Sequence, residues 1–327
     1  METKYNYVLF ALDTDYYHVT YNDIVGFPFV RVKWSDLDKY SGLTKYLYRA
    51  HHSKKINRIL RLPFKKLWFS SFFRNDFSDN KPICFIFWGR EAVRYGTGYL
   101  GYLKKKYPGC KIVITFWDLV KYTFNDRELE EYRKFSDLMF TYDLGDAQKY
   151  DMIYQHDVFS YYPINTGSEI QPCDVYFLVR AKDRLSEIVQ AYDTLTSKGL
   201  KCDFYITAVE PADRIERSNI HYLEHEMPYI ENLKHVCSAN ALLEILQGGS
   251  RGSTLRCCEA IAYGKALITN NAEVLNEPFY SEDRIRFFTS QADLESIDEQ
   301  FVREKKEYNY INNLSPIAFI ERLEEML

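Results

Sequence analysis

The chain has 327 residues, 46% of them hydrophobic and 17% aromatic, and its formal net charge is −4. This length suits two domains of ordinary size, each with its own core. The negative charge argues against a general nucleic-acid-binding protein. No apolar run is long enough for a membrane span, and the N-terminal stretch lacks the features of a secretory signal. These observations favour a cytoplasmic protein.

The seven cysteines are scattered along the chain without a Cys-x-x-Cys pair. Their spacing therefore predicts reduced thiols rather than disulfides or a zinc site, and we expect no metal centre. The 28 tyrosines and 22 phenylalanines are expected mainly in packed cores. Stacking of some of them on bases or sugars is the alternative.

Apolar runs alternate with helical patterns almost throughout, which is typical of α/β layering with parallel sheets. In the first half, strands are predicted at 5–11, 82–88, 111–116 and 138–142, and helices at 91–107 and 126–134. In the second half, strands are predicted at 174–179, 202–207, 241–245, 266–269 and 284–288, and helices at 184–197, 230–236, 253–263 and 316–327.

The proline-bracketed segment 163–172 lacks periodicity and is interpreted as a linker. We therefore predict an N-terminal domain at 1–162, a C-terminal domain at 173–314, and a final helix at 315–327 that packs back on the N-terminal domain. Two α/β units joined in this way place a ligand in the cleft between them, at strand C-terminal ends.

The stretch from Gly248 to Asn271 reads GGSRGSTLRCCEAIAYGKALITNN. Glycines before a helix expose backbone N–H groups at the positive end of the helix dipole, where an anion can bind. Arg256 adds positive charge, and Glu259 can reach a hydroxyl group. Together these groups suit a sugar nucleotide. The alternative is an ordinary turn and helix, with Arg256 and Glu259 forming a surface salt bridge.

The run from Gly252 to Asn270 resembles the donor-site signature of GT-B glycosyltransferases, especially those that build bacterial surface polysaccharides. The resemblance implies two Rossmann-like domains facing a central cleft. It also implies that the Gly252, Ser253 and Thr254 turn binds the nucleotide diphosphate and that Glu259 binds the ribose. Tyr229 falls in a segment that the resemblance places near the base, so it is a candidate for stacking or for packing.

Three basic residues follow the first predicted strand of the second half: Arg180, Lys182 and Arg184. Cations at the C-terminal end of a strand face the cleft, and arginine can bind phosphate oxygens in bidentate fashion. GT-B enzymes often place a basic residue here to meet the diphosphate. The alternative is ordinary surface charge at the start of a helix.

The reaction geometry is less defined. Retaining GT-B enzymes often carry a second glutamate, with seven residues between it and the ribose-binding glutamate, but counting back from Glu259 in this way gives Arg251. This departure leaves an inverting displacement open, which needs a general base in the acceptor half. The candidates at strand ends are Asp13, which we prefer and which lies near His18, and Glu91 and Asp118. Each also suits a helix cap or turn.

Two further motifs carry weaker predictions. Gly96–Gly101 matches GxGxxG, but the preceding strand ends near Trp88, so the glycines miss the tight turn that a dinucleotide-binding dehydrogenase needs. His51–Arg74 mixes basic and aromatic residues. It can lie in an anionic membrane interface or pack its aromatic side on the first domain, and Pro63 is expected to interrupt any helix there.

The sequence as a whole predicts a metal-independent glycosyltransferase of the cytoplasm that moves a hexosyl or related sugar. The donor is a nucleotide-sugar co-substrate, with no other cofactor, and the acceptor is a glycan or polyprenol-linked sugar in capsule or lipopolysaccharide synthesis. Peripheral contact with the cytoplasmic face of the inner membrane is also expected, and contact with nucleic acid is not. The alternatives are a polyol-phosphate transferase or a non-catalytic nucleotide- or glycan-binding protein.

Overall fold

The structure is a computed structural model that describes residues 1–35, 40–53, 56, 62–167, 169–246 and 251–327. It divides into two compact units. The first contains Met1–His156 and Pro316–Leu327, and the second contains Asp157–Ser315. Each unit contains one parallel sheet with helices between successive strands.

The strands of the first unit are β1 (Asn6–Leu12), β2 (Val30–Ser35), β3 (Ile83–Trp88), β4 (Lys111–Phe116), β5 (Leu138–Thr141) and β6 (Ile153–Tyr154). They form a sheet in the order β2-β1-β3-β4-β5-β6 with every pairing parallel. Its helices are α1 (Asp15–Thr20), α2 (Gly42–His52), α3 (Phe69–Phe72), α4 (Gly89–Tyr95), α5 (Thr97–Lys106), α6 (Val120–Thr123), α7 (Asp126–Arg133) and α8 (Leu144–Tyr150), and a 3-10 helix spans Lys65–Trp68.

The strands of the second unit are β7 (Cys173–Arg180), β8 (Cys202–Thr207), β9 (Ile220–Leu223), β10 (Ala239–Glu244), β11 (Ala266–Thr269) and β12 (Ile285–Phe287). They form a parallel sheet in the order β12-β11-β10-β7-β8-β9. Its helices are α9 (Leu185–Ser197), α10 (Tyr229–Ser238), α11 (Leu255–Tyr263), α12 (Gln291–Ser296), α13 (Glu299–Arg303) and α14 (Ile311–Leu314), with 3-10 helices at Pro211–Asp213 and Ala272–Asn276.

The last helix, α15 (Pro316–Met326), belongs to the first unit. Its Glu324 carboxylate accepts hydrogen bonds from the Lys4 backbone N–H (2.8 Å) and from the Tyr7 hydroxyl (2.7 Å). Tyr7 is fully buried. The first unit is therefore built from two separate pieces of the chain.

The strands form where the sequence is apolar enough to be covered on both faces, as a parallel sheet requires. All six residues of β3 are buried, and Phe87 pairs with Phe10 of β1 with their ring centroids 4.4 Å apart. Phe85 and Tyr99 are also fully buried. Many aromatic residues of this unit therefore lie in its core, whereas others, such as Tyr46, Phe64 and Tyr122, are exposed.

In each sheet the strand order reverses at one point. The first unit reverses between β1 and β3, and the second between β7 and β10. Loops that leave two such neighbouring strands turn to opposite sides of a parallel sheet, which opens a crevice at the strand C-terminal ends. These two edges are where ligand sites are expected.

The predicted single helix at 91–107 is wrong. The structure has two helices, α4 and α5, separated by Gly96. Gly96 has a φ of 81°, which ordinary residues adopt at a cost, so the backbone changes direction there. The sequence pattern also predicts no strand in the ranges of β2, β6 and β9. The other predicted strands and helices are confirmed, with ends that shift by at most three residues.

The basic and aromatic segment His51–Arg74 falls partly outside the described residues, at 54, 55 and 57–61. Its described part includes the end of α2, the 3-10 helix and α3. All seven cysteines are unpaired, and six of them are buried. Within the described ranges, no helix combines the length and apolar character needed to cross a bilayer.

Candidate functional site

A cavity of about 240 Å³ lies at the edge of the second unit where β7 and β10 separate. The ends of these two strands and the first turn of α11 line it. Four of its lining residues belong to the site predicted from sequence: Arg184, Thr254, Arg256 and Glu259. The fold thus brings residues about 75 positions apart in the chain to one place.

Glu259 is the centre of a buried polar network. Its Oε1 accepts hydrogen bonds from the Tyr229 hydroxyl (3.1 Å) and from Asn232 Nδ2 (2.8 Å). Its Oε2 accepts one from Arg256 Nη1 (2.5 Å). Among the described residues these three groups are the donors to Glu259, and an ionised carboxylate has room for about four.

Arg256 fixes the other side of this network. Its Nη2 donates to the Leu178 carbonyl (3.1 Å) at the end of β7, and its guanidinium lies 5.8 Å from the centroid of the Tyr176 ring. The pair that it forms with Glu259 is buried rather than on the surface. The salt bridge of the alternative interpretation is thus present, but its two side chains are only 13% and 2% exposed. Arg256 ties α11 to β7 and neutralises Glu259.

The turn before α11 has the geometry of a helix N-terminus. Gly252 adopts a φ of 141°, and its carbonyl accepts a hydrogen bond from Asn271 Nδ2 (2.8 Å). The Thr254 side chain caps the helix by accepting the N–H of Arg256 (3.2 Å). Among the described residues, the N–H groups of Ser253 and Leu255 have no acceptor. Ser253 is fully buried, whereas Leu255 lines the cavity, so the Leu255 N–H is the donor placed to hold an anion. The neighbouring Gly248 and Gly249 lie outside the described residues.

Glu244, which the sequence analysis missed, also lines the cavity. It ends β10 and is buried, and its carboxylate accepts hydrogen bonds from the hydroxyls of Thr254 and Thr269. Burial raises the pKa of Glu244, against the hydrogen bonds from the two threonines. The signal in the sequence was a single acidic residue inside the apolar run Ala241–Leu246. Only a partner explains such a residue in a core.

The basic residues after β7 have different environments. Arg184 spans the gap between the two loops: its guanidinium donates to the Ile245 carbonyl and to the Arg180 carbonyl (2.9 Å). Burial lowers the pKa of Arg184. Its Nε has no partner among the described residues. Arg180 and Lys182 are exposed, and Lys182 adopts a φ of 50°. Arg184 therefore shapes the edge, while the other two face solvent beside it.

The first unit has an aromatic pocket at its own reversal point, between the ends of β1, β3 and β4. Its volume is about 240 Å³, and its lining includes Tyr16, Tyr17, Trp88, Trp117 and Asp118. Trp117 is in ring contact with Tyr16, Tyr17 and Trp88, at centroid distances of 5.3, 5.7 and 3.5 Å. Aromatic faces of this kind suit the apolar faces of sugar rings.

The three predicted general bases lie in different surroundings. Asp13 is exposed and pairs with His18, with 2.8 Å between Oδ1 and Nε2. Asp118 pairs with Arg90 (2.5 Å) at the rim of the aromatic pocket.

Glu91 is the buried member of the three predicted bases. It pairs with Arg94 (3.3 Å), and burial raises its pKa although Arg94 opposes the shift. It does not line the aromatic pocket.

No protein-family model matches this sequence, and no curated protein sequence does. Solved structures do match. HepE of Anabaena, in complex with UDP and glucose, aligns with a TM-score of 0.53 at 10% identity, over 98% of this chain and 99% of that chain. A putative UDP-N-acetylglucosamine 2-epimerase from Listeria monocytogenes gives 0.51 at 10% identity, over 98% and 97%. The trehalose-6-phosphate synthase OtsA gives 0.50 at 10% identity, over 98% of each chain.

These similarities extend along nearly the whole of each chain, so they include both units. At 10% identity they establish the fold and nothing finer. The chain has the GT-B fold, with two Rossmann-like domains, each built on a parallel six-stranded sheet. The fold class predicted from sequence is confirmed.

Proposed function

We propose that this protein is a glycosyltransferase that moves a sugar, hexosyl or related, from a nucleotide-sugar to a glycan or polyprenol-linked acceptor. The observation that carries the proposal is Glu259. It is a buried carboxylate that lines a cavity at the reversal point of the second sheet, and the described residues supply three of the about four donors that a carboxylate can accept. A ribose hydroxyl is a group of this kind, and the GT-B fold supports the same assignment.

The diphosphate of the donor would bind at the start of α11. Leu255 begins this helix and lines the cavity, and the exposed cations Arg180 and Lys182 supply positive charge at the same sheet edge. These groups would stabilise the negative charge that develops on the departing diphosphate. A metal ion is not required by this scheme. The ring of Tyr229, whose hydroxyl is held by Glu259, would lie near the base.

In the acceptor half, the proposed base is the Asp13 and His18 pair. If His18 Nε2 carries the proton shared with Asp13, Nδ1 is free to accept a proton from the acceptor hydroxyl. The acceptor oxygen then forms a bond to the anomeric carbon while the bond from that carbon to the diphosphate oxygen breaks. The proton remains on His18, and the product has inverted configuration. The aromatic pocket would hold the acceptor sugar.

The biological setting that we propose is the synthesis of a bacterial surface polysaccharide, capsule or lipopolysaccharide, in the cytoplasm. It is supported by the sequence resemblance of Gly252–Asn270 to enzymes of that kind. A polyprenol-linked acceptor would be reached from the cytoplasmic face of the inner membrane.

The test is calorimetry of the full-length protein with UDP-, GDP-, CMP- and dTDP-sugars. We expect one base to bind, and Glu259→Gln to weaken binding by at least about tenfold because a charged hydrogen bond to the ribose is lost. Glu231→Gln, on the solvent side of α10, is the matched control and should bind as wild type. If no donor binds, or if Glu259→Gln binds normally, the proposal is wrong. If Glu259→Gln does not fold, the exposed Arg180→Ala serves instead.

A second candidate function is epimerisation of a nucleotide-sugar, because a putative epimerase shares the fold over nearly its whole length. The two reactions differ in their products. An epimerase converts the donor sugar to an isomer without an acceptor, which NMR of the nucleotide-sugar detects. A glycosyltransferase releases nucleoside diphosphate and adds the mass of a sugar to the acceptor. Addition of a phosphate-containing group would indicate a phosphotransferase, and binding without turnover would indicate a non-catalytic protein.

A further inference from the structure

The charge of the chain is distributed unevenly. Residues 39–75 contain no Asp or Glu, although the whole chain carries a net charge of −4. Their basic residues are Lys39, Lys45, Arg49, Lys54, Lys55, Arg58, Arg61, Lys65, Lys66 and Arg74. One segment of the first unit is therefore strongly positive in an otherwise acidic protein.

Helix α2, in this segment, turns an apolar face to solvent. Leu43, Tyr46 and Leu47 follow the i, i+3, i+4 spacing of one helix face, and their exposed fractions are 74%, 72% and 48%. The buried side of the same helix is occupied by Tyr48, whose ring contacts Trp68 at 5.3 Å. Leu43, Tyr46 and Leu47 thus remain exposed although the other side of the helix is packed.

The 3-10 helix Lys65–Trp68 packs beside α2 and is flanked by further exposed apolar side chains. Trp68 packs on α2 and also donates from its indole N–H to His51 Nδ1 (2.7 Å). Phe64 and Leu67, beside it, are 73% and 76% exposed. Lys66 is exposed between them. We call the surface of α2 and the segment 64–67 the basic-apolar face.

We propose that the basic-apolar face docks on the surface of an anionic lipid bilayer. Exposed apolar side chains that enter the acyl boundary, together with lysines and arginines that meet anionic head groups, are the two contributions that hold a peripheral protein at such a surface. Charge complementarity selects this occupant over a neutral bilayer or a basic protein. The proposal uses no residue of the nucleotide site, so it stands or falls independently of the proposed reaction.

The experiment is cosedimentation of the full-length protein with vesicles of phosphatidylcholine alone, and of phosphatidylcholine mixed with phosphatidylglycerol. We expect binding to the mixed vesicles only, weakened by salt because exposed charges are screened. Lys66→Glu should weaken binding by about fivefold or more. The triple variant Leu43→Ser/Tyr46→Ser/Leu47→Ser should weaken it by about tenfold or more.

Matched controls separate this face from general effects of charge and hydrophobicity. Lys105→Glu changes an exposed lysine of α5, and Val25→Ser and Tyr122→Ser remove exposed apolar side chains elsewhere in the first unit. All three should bind vesicles as wild type does. Each variant is first checked for a wild-type urea denaturation curve.

Three results would overturn the proposal. One is equal binding of the face variants and wild type to mixed vesicles. Another is a dimer that only the triple variant loses, which would assign the face to a second copy of the chain. The third is oligonucleotide binding that Lys66→Glu abolishes while vesicle binding is absent, which would assign the face to nucleic acid.

Discussion

The hydroxyl of Thr254 donates a hydrogen bond to the buried carboxylate of Glu244, and the same oxygen caps α11 by accepting the N–H of Arg256. One side chain therefore connects the end of β10 to the first turn of the helix that offers its N-terminus to an anion. Thr269, at the end of β11, donates to the other oxygen of Glu244. The turn before α11 is therefore fixed to the helix itself, to the end of β10 and, through Glu244, to the end of β11.

Thr254→Val should reduce the free energy of unfolding by about 1–3 kcal/mol, because it removes a helix cap and leaves a buried carboxylate with one donor fewer. Thr254→Ser keeps the hydroxyl and should remain within about 1 kcal/mol of wild type. Urea denaturation measures both. Equal stability of the two variants would show that the hydroxyl is unimportant.

Arg256 and Glu259 should be strongly coupled. Arg256→Met leaves Glu259 buried without its cation and should cost about 3–5 kcal/mol of unfolding free energy. The double variant Arg256→Met/Glu259→Met should cost less than the sum of the two single variants, with a coupling of about 1–3 kcal/mol. The exposed pair Arg217 and Asp193 is the control, and its coupling should be below about 1 kcal/mol. Additive single variants at 256 and 259 would contradict this prediction.

Three carboxylates of the acceptor half should respond differently to removal of charge: Asp13, which pairs with the proposed base His18, Glu91 and Asp118. Asp13→Asn should lower kcat by about 10²-fold or more with unchanged stability, since Asp13 is exposed and only supports the base. Glu91→Gln should lower stability by more than about 1 kcal/mol, because Arg94 keeps a buried charge without its partner. Asp118→Asn should change both quantities little. Loss of turnover in Asp118→Asn, with activity retained in Asp13→Asn, would move the base to the pocket rim.

Stability should fall as pH rises through the neutral range. Burial raises the pKa of Asp157 to about 8, whereas an unfolded aspartate titrates near about 3.9. Between these values the folded state retains a proton that the unfolded state has lost, so unfolding becomes more favourable by about 1.4 kcal/mol per pH unit. Asp157→Asn should therefore reduce the change of unfolding free energy with pH. Urea denaturation between about pH 5 and about pH 8, a range between the two pKa values, measures this change. Exposed Asp283→Asn should leave it unchanged, and an unaltered slope in Asp157→Asn would contradict the assignment.

The strands that the sequence predicts are those with long apolar runs. β3 and β4 are central, covered on both faces, and recognisable from composition alone. β2 alternates Val30 and Val32 with Arg31 and Lys33 at the sheet edge, and such a short mixed pattern was not assigned. The break at Gly96 was missed because the flanking helical patterns are continuous in sequence. The helix is interrupted because Gly96 adopts a positive φ angle.

Part of the candidate site was predictable because it is contiguous. The turn at Gly252, the cap and Glu259 lie within eight positions of one another, and a helix N-terminus has a local pattern. Asn232 and Glu244 contact this stretch only after β7 and β10 have become neighbours. Their roles depend on tertiary contacts, which no local pattern encodes.

The two-piece construction of the first unit also bears on how the protein folds during synthesis. Its strands leave the ribosome first, but α15 leaves only after the whole second unit. Glu324 of α15 accepts the hydrogen bond from the Tyr7 hydroxyl of β1. The second unit is one continuous segment and can fold as soon as it has emerged, since domains generally fold as units. Until α15 has emerged, the Tyr7 hydroxyl lacks its native acceptor, Glu324. We therefore expect the second unit to finish folding before the first, although the first unit begins to emerge earlier.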